Sequence, residues 1–224
     1  MPRPAASSQT TRGSRRDLIA EAVIDLLARE GGRGLTHGNI DVLLGLPKGS
    51  TSFYFRRRAE LFEAGVRRLV DEDLKQLHSV LGPLFEKYPD TIPLREVARA
   101  QYVLWRLQTK PSMRKRRIAR FEFFLHAARD ASFARFHDEV RKAIFELGAT
   151  MFARLGAKNP QRAAIEYGYL VRGDSMAYFF LPPSIGWHRI TPAYYERCLQ
   201  EIIEKTNRSS SDTPLKRKNR VRPP

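Results

Sequence analysis

The apolar residues of the chain recur at the spacing of an amphipathic α-helix along most of its length. The first such segment covers residues 14–30 and ends at Gly31 and Gly32, a pair that predicts a helix stop. Its apolar positions, which share one helix face, are Leu18, Ile19, Ala22, Val23, Leu26 and Leu27. No stretch shows the sustained alternation of a strand bounded by hairpin turns. The pattern therefore predicts an all-α protein.

Eight further helices are predicted after the first. Thr36 is a suitable N-cap for a second helix that buries Ile40 and either Leu43 or Leu44. Pro47 suits the first position of a third helix, because the N–H that proline lacks would be unpaired there. The third to ninth predicted helices cover residues 47–55, 58–81, 92–109, 111–128, 131–156, 160–181 and 191–206.

The composition limits the class of protein. The chain has 224 residues, of which 42% are hydrophobic. No apolar run reaches the roughly 18 residues that a membrane helix needs, so no membrane partner is expected. Residues 1–13 are polar and lack the apolar core of a secretory signal. Cys198 is the only cysteine, so no disulfide can form within the chain, and a cytoplasmic location is expected.

The formal net charge is +16, and much of it lies at the two ends of the chain. Residues 1–13 are predicted to form a disordered basic arm and residues 207–224 a disordered basic tail. Such a charge favours an anionic partner, but it does not choose among DNA, RNA and a membrane surface.

The most informative segment covers residues 45–62. A glycine turn leads into a short helix whose front carries Lys48, Gly49 and Ser50, and an aromatic run followed by three arginines closes it. Small and cationic residues at the front of a helix can approach an anionic groove closely, and the aromatics behind them can anchor the helix to a scaffold. This layout is the one expected of a DNA-reading helix.

The order of residues in this segment resembles a known family. The chain reads Gly-Leu-Pro-Lys-Gly-Ser-Thr-Ser-Phe-Tyr-Phe over 45–55 and Arg-Ala-Glu-Leu over 58–61, about 30 residues after the first helix begins. This set resembles the TetR (tetracycline repressor) family of transcriptional regulators over roughly residues 15–70. Relatives carry other residues at three positions: a tyrosine at Ser52, a capping serine at Pro47 and an alanine at Asp41.

The resemblance implies an N-terminal three-helix helix-turn-helix head, joined by a long helix to a larger helical domain that binds a ligand and dimerises, with about nine helices in all. The implied head covers residues 14–60 and the implied effector-binding and dimerisation domain residues 61–206. Phe55 is expected to be the buried aromatic of the head. The residues implied to bind DNA are Thr36, His37, Lys48, Gly49, Ser50, Ser52, Phe53, Tyr54 and Arg58.

The second domain is expected to hold a small-molecule site and a dimer interface. The aromatic residues in the middle of the chain fit a plain core as well as an effector cavity, and the sequence does not separate the two. The pocket residues suggested by the resemblance are Tyr102, Trp105, Phe121, Phe124 and Tyr169. The implied dimer-interface residues are Ile165, Tyr169, Met176, Tyr195, Leu199 and Ile202.

The stretch Lys110–Arg120 contains six cations and no acid. A solvated helix face is the favoured interpretation of this stretch, and interaction with an acidic ligand or partner is the alternative.

The function predicted from these features is a sequence-specific DNA-binding regulator, most readily a repressor that acts as a homodimer on a palindromic operator and is released by a small-molecule effector. The alternative is a sequence-indifferent basic nucleic-acid-binding accessory protein driven by its charged ends. An enzyme is not expected. The five histidines are scattered, and no nucleophile is paired with a base, so no catalytic residue, metal or cofactor is predicted.

Overall fold

The computed structural model describes residues 6–182, 184 and 190–208, with side chains from residue 15 onward. Over these residues it contains nine α-helices, one 3₁₀ turn at Pro111–Met113 and no strand, so the all-α prediction is confirmed. Within the described ranges, none of the helices combines the length and the hydropathy that a membrane-spanning segment requires. The helices are α1 Ala6–Gly34, α2 His37–Leu43, α3 Ser50–Tyr54, α4 Arg58–Lys87, α5 Leu94–Gln108, α6 Arg114–Arg129, α7 Ala131–Arg154, α8 Pro160–Phe180 and α9 Pro192–Arg208.

The structure corrects the predicted N-terminal arm. Helix α1 begins at Ala6, so the backbone of 6–13 is helical and not disordered. No proline follows Pro4 in this stretch, and the helix can therefore extend backwards from its apolar segment despite the cost of about 1 kcal/mol for Gly13. Residues 1–5 lie outside the described part of the chain. Of the predicted tail, the structure describes only 207 and 208, which end α9.

The bounds of the third and fourth helices also differ from the predicted ones. The third helix begins at Ser50 and not at Pro47, because the chain first makes a turn that ends at Gly49 with a φ of 90°. The fourth helix does not stop at residue 81 but continues through Pro83 to Lys87. Gly31, with a φ of 66°, marks the predicted interruption of α1.

The guanidinium of Arg154 accounts for the longer α4. Its Nη1 donates to the carbonyl oxygens of Phe85 at 2.9 Å and Tyr88 at 3.3 Å, and its Cζ lies 4.6 Å from the centroid of the Phe85 ring. The N–H of Ile92 donates in turn to the carbonyl of Arg154 at 3.0 Å. A cation at the carbonyl end of a helix stabilises its last turn, which offsets part of the cost of an internal proline.

The described residues divide into two compact units. The first is drawn from residues 1–82 and 103–144, and the second from 83–102 and 145–224. The predicted functional boundary between residues 60 and 61 does not coincide with this division, because the first unit includes α6 and most of α4 as well as the three N-terminal helices.

The core of the first unit forms where α1, α4 and α6 meet. Gly65 on α4 permits the close approach, since a Cβ atom there would lie 2.7 Å from Val23 Cγ1 and 2.8 Å from Phe123 Cζ. The buried residues around this point include Ile19, Val23, Leu27, Ile40, Phe55, Leu61, Phe62, Val66, Phe123 and Phe133.

Ion pairs join α6 to α1 and α4 around this core. The pairs are Arg116 Nη2 with Glu21 (3.0 Å) and Glu72 (3.1 Å), Lys115 Nζ with Asp25 (3.0 Å), and Arg120 Nη2 with Asp73 (2.9 Å). In addition, Glu122 accepts a hydrogen bond from the N–H of Gly32 at 3.1 Å, near the end of α1. Arg117 is buried and donates to the carbonyl of Gln108 at 3.0 Å.

These contacts correct the interpretation of Lys110–Arg120 as a solvated face. Four of its six cations bind groups of the same chain. The acids that pair with three of them lie 40 to 100 positions away in sequence, so the local pattern could not reveal them. Burial opposes the charge of Arg120, but the carboxylate of Asp73 outweighs it and raises the pKa of the guanidinium above its ordinary value.

In the second unit, α8 and α9 pack together and turn the apolar face of α9 inward. Tyr195 and Leu199 are both 0% exposed. The prediction that these two residues form a dimer interface is therefore wrong, because their face of α9 is buried in the core of its own unit. Tyr194 donates to Asp174 Oδ1 at 2.8 Å, which adds a polar contact between the two helices.

We expect Arg120→Ala to destabilise the first unit by about 3–5 kcal/mol, because it leaves the buried carboxylate of Asp73 without its counter-charge. Chemical unfolding at neutral pH measures the change. Asp73→Asn in the Arg120→Ala background should recover part of the loss. The matched control is Lys205→Ala, whose exposed pair with Glu166 should be worth about 1 kcal/mol or less. Equal losses for Arg120→Ala and Lys205→Ala would contradict the interpretation.

Candidate nucleic-acid interface

The turn between α2 and α3 is built by backbone hydrogen bonds to α2. The N–H of Leu46 donates to the carbonyl of Asp41 at 2.8 Å, and the N–H of Gly45 donates to that of Val42 at 3.2 Å. Gly45 has a φ of 62°, a conformation that side-chain-bearing residues rarely adopt. The turn therefore sets the direction in which α3 leaves α2.

The carboxylate of Asp41 fixes the front of α3. It is 3% exposed and accepts three hydrogen bonds, from the N–H of Gly49 at 2.8 Å, the N–H of Thr51 at 2.8 Å and the hydroxyl of Thr51 at 2.6 Å. Burial alone would raise the pKa of Asp41. The hydrogen bonds from Thr51 and Gly49 outweigh it, and they leave the pKa below its ordinary value of 3.8.

Most residues predicted to bind DNA lie at the surface around this front. Thr36, Lys48, Gly49 and Ser52 are exposed, and Phe53 is 68% exposed. Around Gly49 the space is open, since an added Cβ atom would meet no atom within 4 Å. In the part of the chain that the structure describes, Lys48 forms no ion pair. These residues give a small, cationic surface at the start of α3.

Two further predicted contacts serve partly as local supports. Thr36 caps α2, as predicted, because its hydroxyl accepts from the N–H of Asn39 at 3.1 Å. Ser50 is half-buried, and its hydroxyl donates to the carbonyl of Pro47 at 2.6 Å. Such bonds hold the backbone of both helix starts in place.

The rear of α3 is tied to α1 and α2. Phe55 is buried in the core, as predicted. The guanidinium of Arg16 lies 4.2 Å from the centroid of the Phe55 ring and donates to the carbonyl of Tyr54 at 2.7 Å. His37 Nε2 lies 2.7 Å from the carbonyl oxygen of Phe55 and donates to it. The imidazole of His37 is thus engaged within the protein and holds α3 against α2.

Arg58 also has partners within the protein. Its Nε donates to the carbonyl of Leu35 at 2.9 Å, a second nitrogen donates to the carbonyl of Gly32, and its Cζ lies 5.0 Å from the centroid of the Phe62 ring. The guanidinium of Arg58 therefore caps the end of α1. Arg58 is also exposed, and its contact with DNA stays a prediction.

Glu60 caps the start of α4, a role that the sequence analysis does not predict. Its carboxylate accepts from the N–H of Arg56 at 2.8 Å and from Arg57 Nε at 2.9 Å. The hydrogen bond from the Arg57 side chain is the main reason that the pKa of Glu60 falls below its ordinary value. A glutamate at the third position of a helix is the sequence signal that predicts such a cap.

The predicted effector pocket stays a prediction. Its residues divide between the two units, with Trp105, Phe121 and Phe124 in the first and Tyr102 and Tyr169 in the second. Two grooves of about 320 and 470 Å³ lie in the first unit, along α1 and α4 and along α4 and α6, and none of the five residues lines either. Within the described ranges, no group of three or more histidine, cysteine or acidic side chains is placed to hold a metal ion.

The architecture matches that of solved transcriptional regulators. A protein from Mesorhizobium loti MAFF303099 described as a TetR-family transcriptional regulator is 20% identical, with a TM-score of 0.62, and the match covers 86% of this chain and 95% of that one. A transcriptional regulator from Rhodococcus sp. Rha1 is 21% identical, with a TM-score of 0.64, and the match covers 89% and 99%. The multidrug binding protein EbrR, complexed with imidazole, is 19% identical, with a TM-score of 0.61, over 91% and 98%.

The chain therefore has the fold of the TetR-family regulators, and the resemblance is confirmed at that level. No family model matches the sequence, and no curated protein matches it.

We expect Asp41→Ala to cost about 1.5–3 kcal/mol of stability at pH 7, because it leaves the buried N–H and hydroxyl of Thr51 and the part-buried N–H of Gly49 without their acceptor. The measurement is chemical unfolding. Asp71→Ala, which removes an exposed carboxylate from α4, is the matched control and should change stability by about 0.5 kcal/mol or less.

The difference between wild type and Asp41→Ala should also depend on pH. The folded-state pKa of Asp41 is lowered, so its stabilisation is present above the unfolded value near 3.8 and is lost as pH falls through the folded value. The free energies of unfolding of the two proteins should therefore differ at pH 7 and converge in the acid range. Unfolding curves at both pH values measure this. A constant difference across that range would show that the charge of Asp41 is not what stabilises α3.

Proposed function

We propose that this protein is a sequence-specific DNA-binding transcriptional regulator, acting as a homodimer and most readily as a repressor whose binding is controlled by a small molecule. The observation that carries the proposal is the front of α3. Lys48 and Gly49 are exposed there, and the buried carboxylate of Asp41 holds their backbone in one conformation. The fold shared with solved transcriptional regulators supports the same function.

The front of α3 suits the major groove of duplex DNA. Gly49 lets the backbone approach the edges of the bases, and the ammonium of Lys48 can donate to guanine or to a phosphate oxygen. Neutralised phosphates would supply much of the affinity, and the bases contacted by α3 would supply the choice of sequence. Exposed Thr36, at the start of α2, would contact the DNA backbone next to the groove.

A homodimer would present two such surfaces to successive major grooves, about 34–36 Å apart on a palindromic site. Helix α8 supports this assembly, since it carries an exposed apolar stripe at helical spacing. Its members are Ile165, Tyr169, Met176 and Phe180, with Tyr169 63% exposed. Ile202, which is also implied to lie at the interface, is half-buried on α9. Burial of this stripe between two copies would remove it from water.

Control by a small molecule requires that the molecule bind one form of the dimer more tightly than the other. A ligand with equal affinity for both forms would leave DNA binding unchanged. EbrR, one of the proteins with this fold, is a multidrug binding protein solved with imidazole. A search for the effector therefore begins with small organic molecules, added to the DNA-bound dimer.

The operator can be isolated by selection of bound fragments from random-sequence duplex DNA. On that operator, Lys48→Ala should weaken binding by about 1–3 kcal/mol, because it removes a cation from the groove-facing front of α3. Fluorescence anisotropy at fixed salt measures the change. Lys75→Ala is the control, since this exposed lysine lies 17 positions along α4 from Arg58, roughly 25 Å at 1.5 Å per residue. An unchanged operator affinity for Lys48→Ala would remove the role assigned to α3.

The net charge of +16 favours a second candidate, a basic protein that binds nucleic acid without regard to sequence. Removal of residues 209–224 separates the two functions. If the protein is a regulator, the ratio of operator to random-DNA affinity should survive, while the affinity for both falls and depends less steeply on salt. Loss of the ratio would favour the second candidate.

A further inference from the structure

Phe53 is a large apolar side chain on the proposed DNA-facing surface, and it is 68% exposed. It lies on α3 one turn after Gly49, whose carbonyl accepts from the Phe53 N–H at 3.3 Å. Residues four apart in a helix lie on the same face. Phe53 therefore lies on the same face of α3 as Gly49, where an added Cβ atom would meet no atom within 4 Å.

The ring of Phe53 is held in place by its neighbour Tyr54. It packs edge-on against Tyr54, with ring centroids 5.2 Å apart and planes at 86°. Tyr54 is half-buried against the hydrophobic core, and its carbonyl accepts from Arg16. An apolar group that is exposed and also positioned by the core is suited to bind a partner with little loss of conformational freedom.

The chemistry of the major groove indicates which partner. Guanine, adenine and cytosine are distinguished at this edge by hydrogen-bond donors and acceptors, with which a phenylalanine ring forms at most weak contacts. Thymine alone adds an apolar group, its C5 methyl. A phosphate is excluded as the main contact, because the ring would remove water from a charge without replacing its hydrogen bonds.

We infer that Phe53 reads thymine, by packing its ring against the C5 methyl group in the major groove. Each half of the operator then contains at least one thymine whose methyl group contributes to binding. This inference rests on the proposed function, and it adds a residue that determines which sequence is bound.

The test uses the full chain and an operator obtained by selection from random duplexes. Each thymine of the operator is replaced singly by deoxyuridine, which pairs identically and lacks only the methyl group. Wild type should bind at least one of these duplexes about three- to five-fold more weakly, the factor expected for one methyl group removed from an apolar contact.

The variants assign that methyl group to Phe53. Phe53→Ala should bind the thymine and uracil duplexes equally, and Phe53→Leu, which stays apolar, should retain part of the preference. Lys48→Ala should weaken binding to both duplexes by the same factor and keep the preference. Because Phe53 is largely exposed, Phe53→Ala should unfold at nearly the temperature of wild type, which circular dichroism checks.

The outcomes distinguish a failure of the inference from a failure of the proposed function on which it rests. If wild type selects a defined operator and no uracil substitution weakens binding, or if Phe53→Ala keeps the preference, the inference is overturned and the proposed function stands. If selection returns no preferred sequence, the proposed function fails and the inference fails with it.

Discussion

The hydrogen bonds to the carboxylate of Asp41 are the constraint on which the rest of the candidate interface depends. Helix α3 has five residues, far fewer than an isolated helix needs to be stable in water. It persists because one buried carboxylate satisfies the N–H groups of Gly49 and Thr51 at its start, while Phe55 anchors its end in the core. The surface that we propose for DNA is thus formed by tertiary contacts, and its helix propensity contributes little.

A second set of contacts gives α6 its place against α1 and α4. Cations of α6 bind acids of the other two helices, and the aromatic core lies beneath them. A buried pair such as Arg120 with Asp73 adds little net stability compared with an apolar pair, but it penalises any arrangement that separates its members. The pairs therefore specify how the three helices fit together more than they add to the stability of the unit.

The cations near the candidate interface differ in whether they bind groups of the same chain. Arg16 and Arg58 donate to carbonyl oxygens of their own chain. Lys48 is exposed at the front of α3 and forms no ion pair in the described ranges. Lys48 thus presents its charge to solvent at the front of α3, whereas Arg16 and Arg58 hold neighbouring segments of the chain together.

Local pattern was sufficient for the helices and for the recognition motif. Apolar spacing and prolines predicted nine helices, Thr36 was predicted as a cap and Phe55 as core, and the order of residues from Gly45 to Leu61 pointed to the fold. These features depend on residues within a few positions of one another, which is the range over which helix geometry acts.

What only the tertiary structure decided is which polar and apolar groups meet when they are farther apart in the sequence than that range. The carboxylate of Asp41 accepts from N–H groups at the start of α3, and cations of α6 bind acids of α1 and α4 where the local pattern predicts a solvated face. Tyr195 and Leu199, which the resemblance assigns to a dimer interface, lie in the core of their own unit. An amphipathic helix shows in its sequence that one face will be covered. Whether its own domain or a second copy covers that face depends on packing between distant segments, which no local pattern encodes.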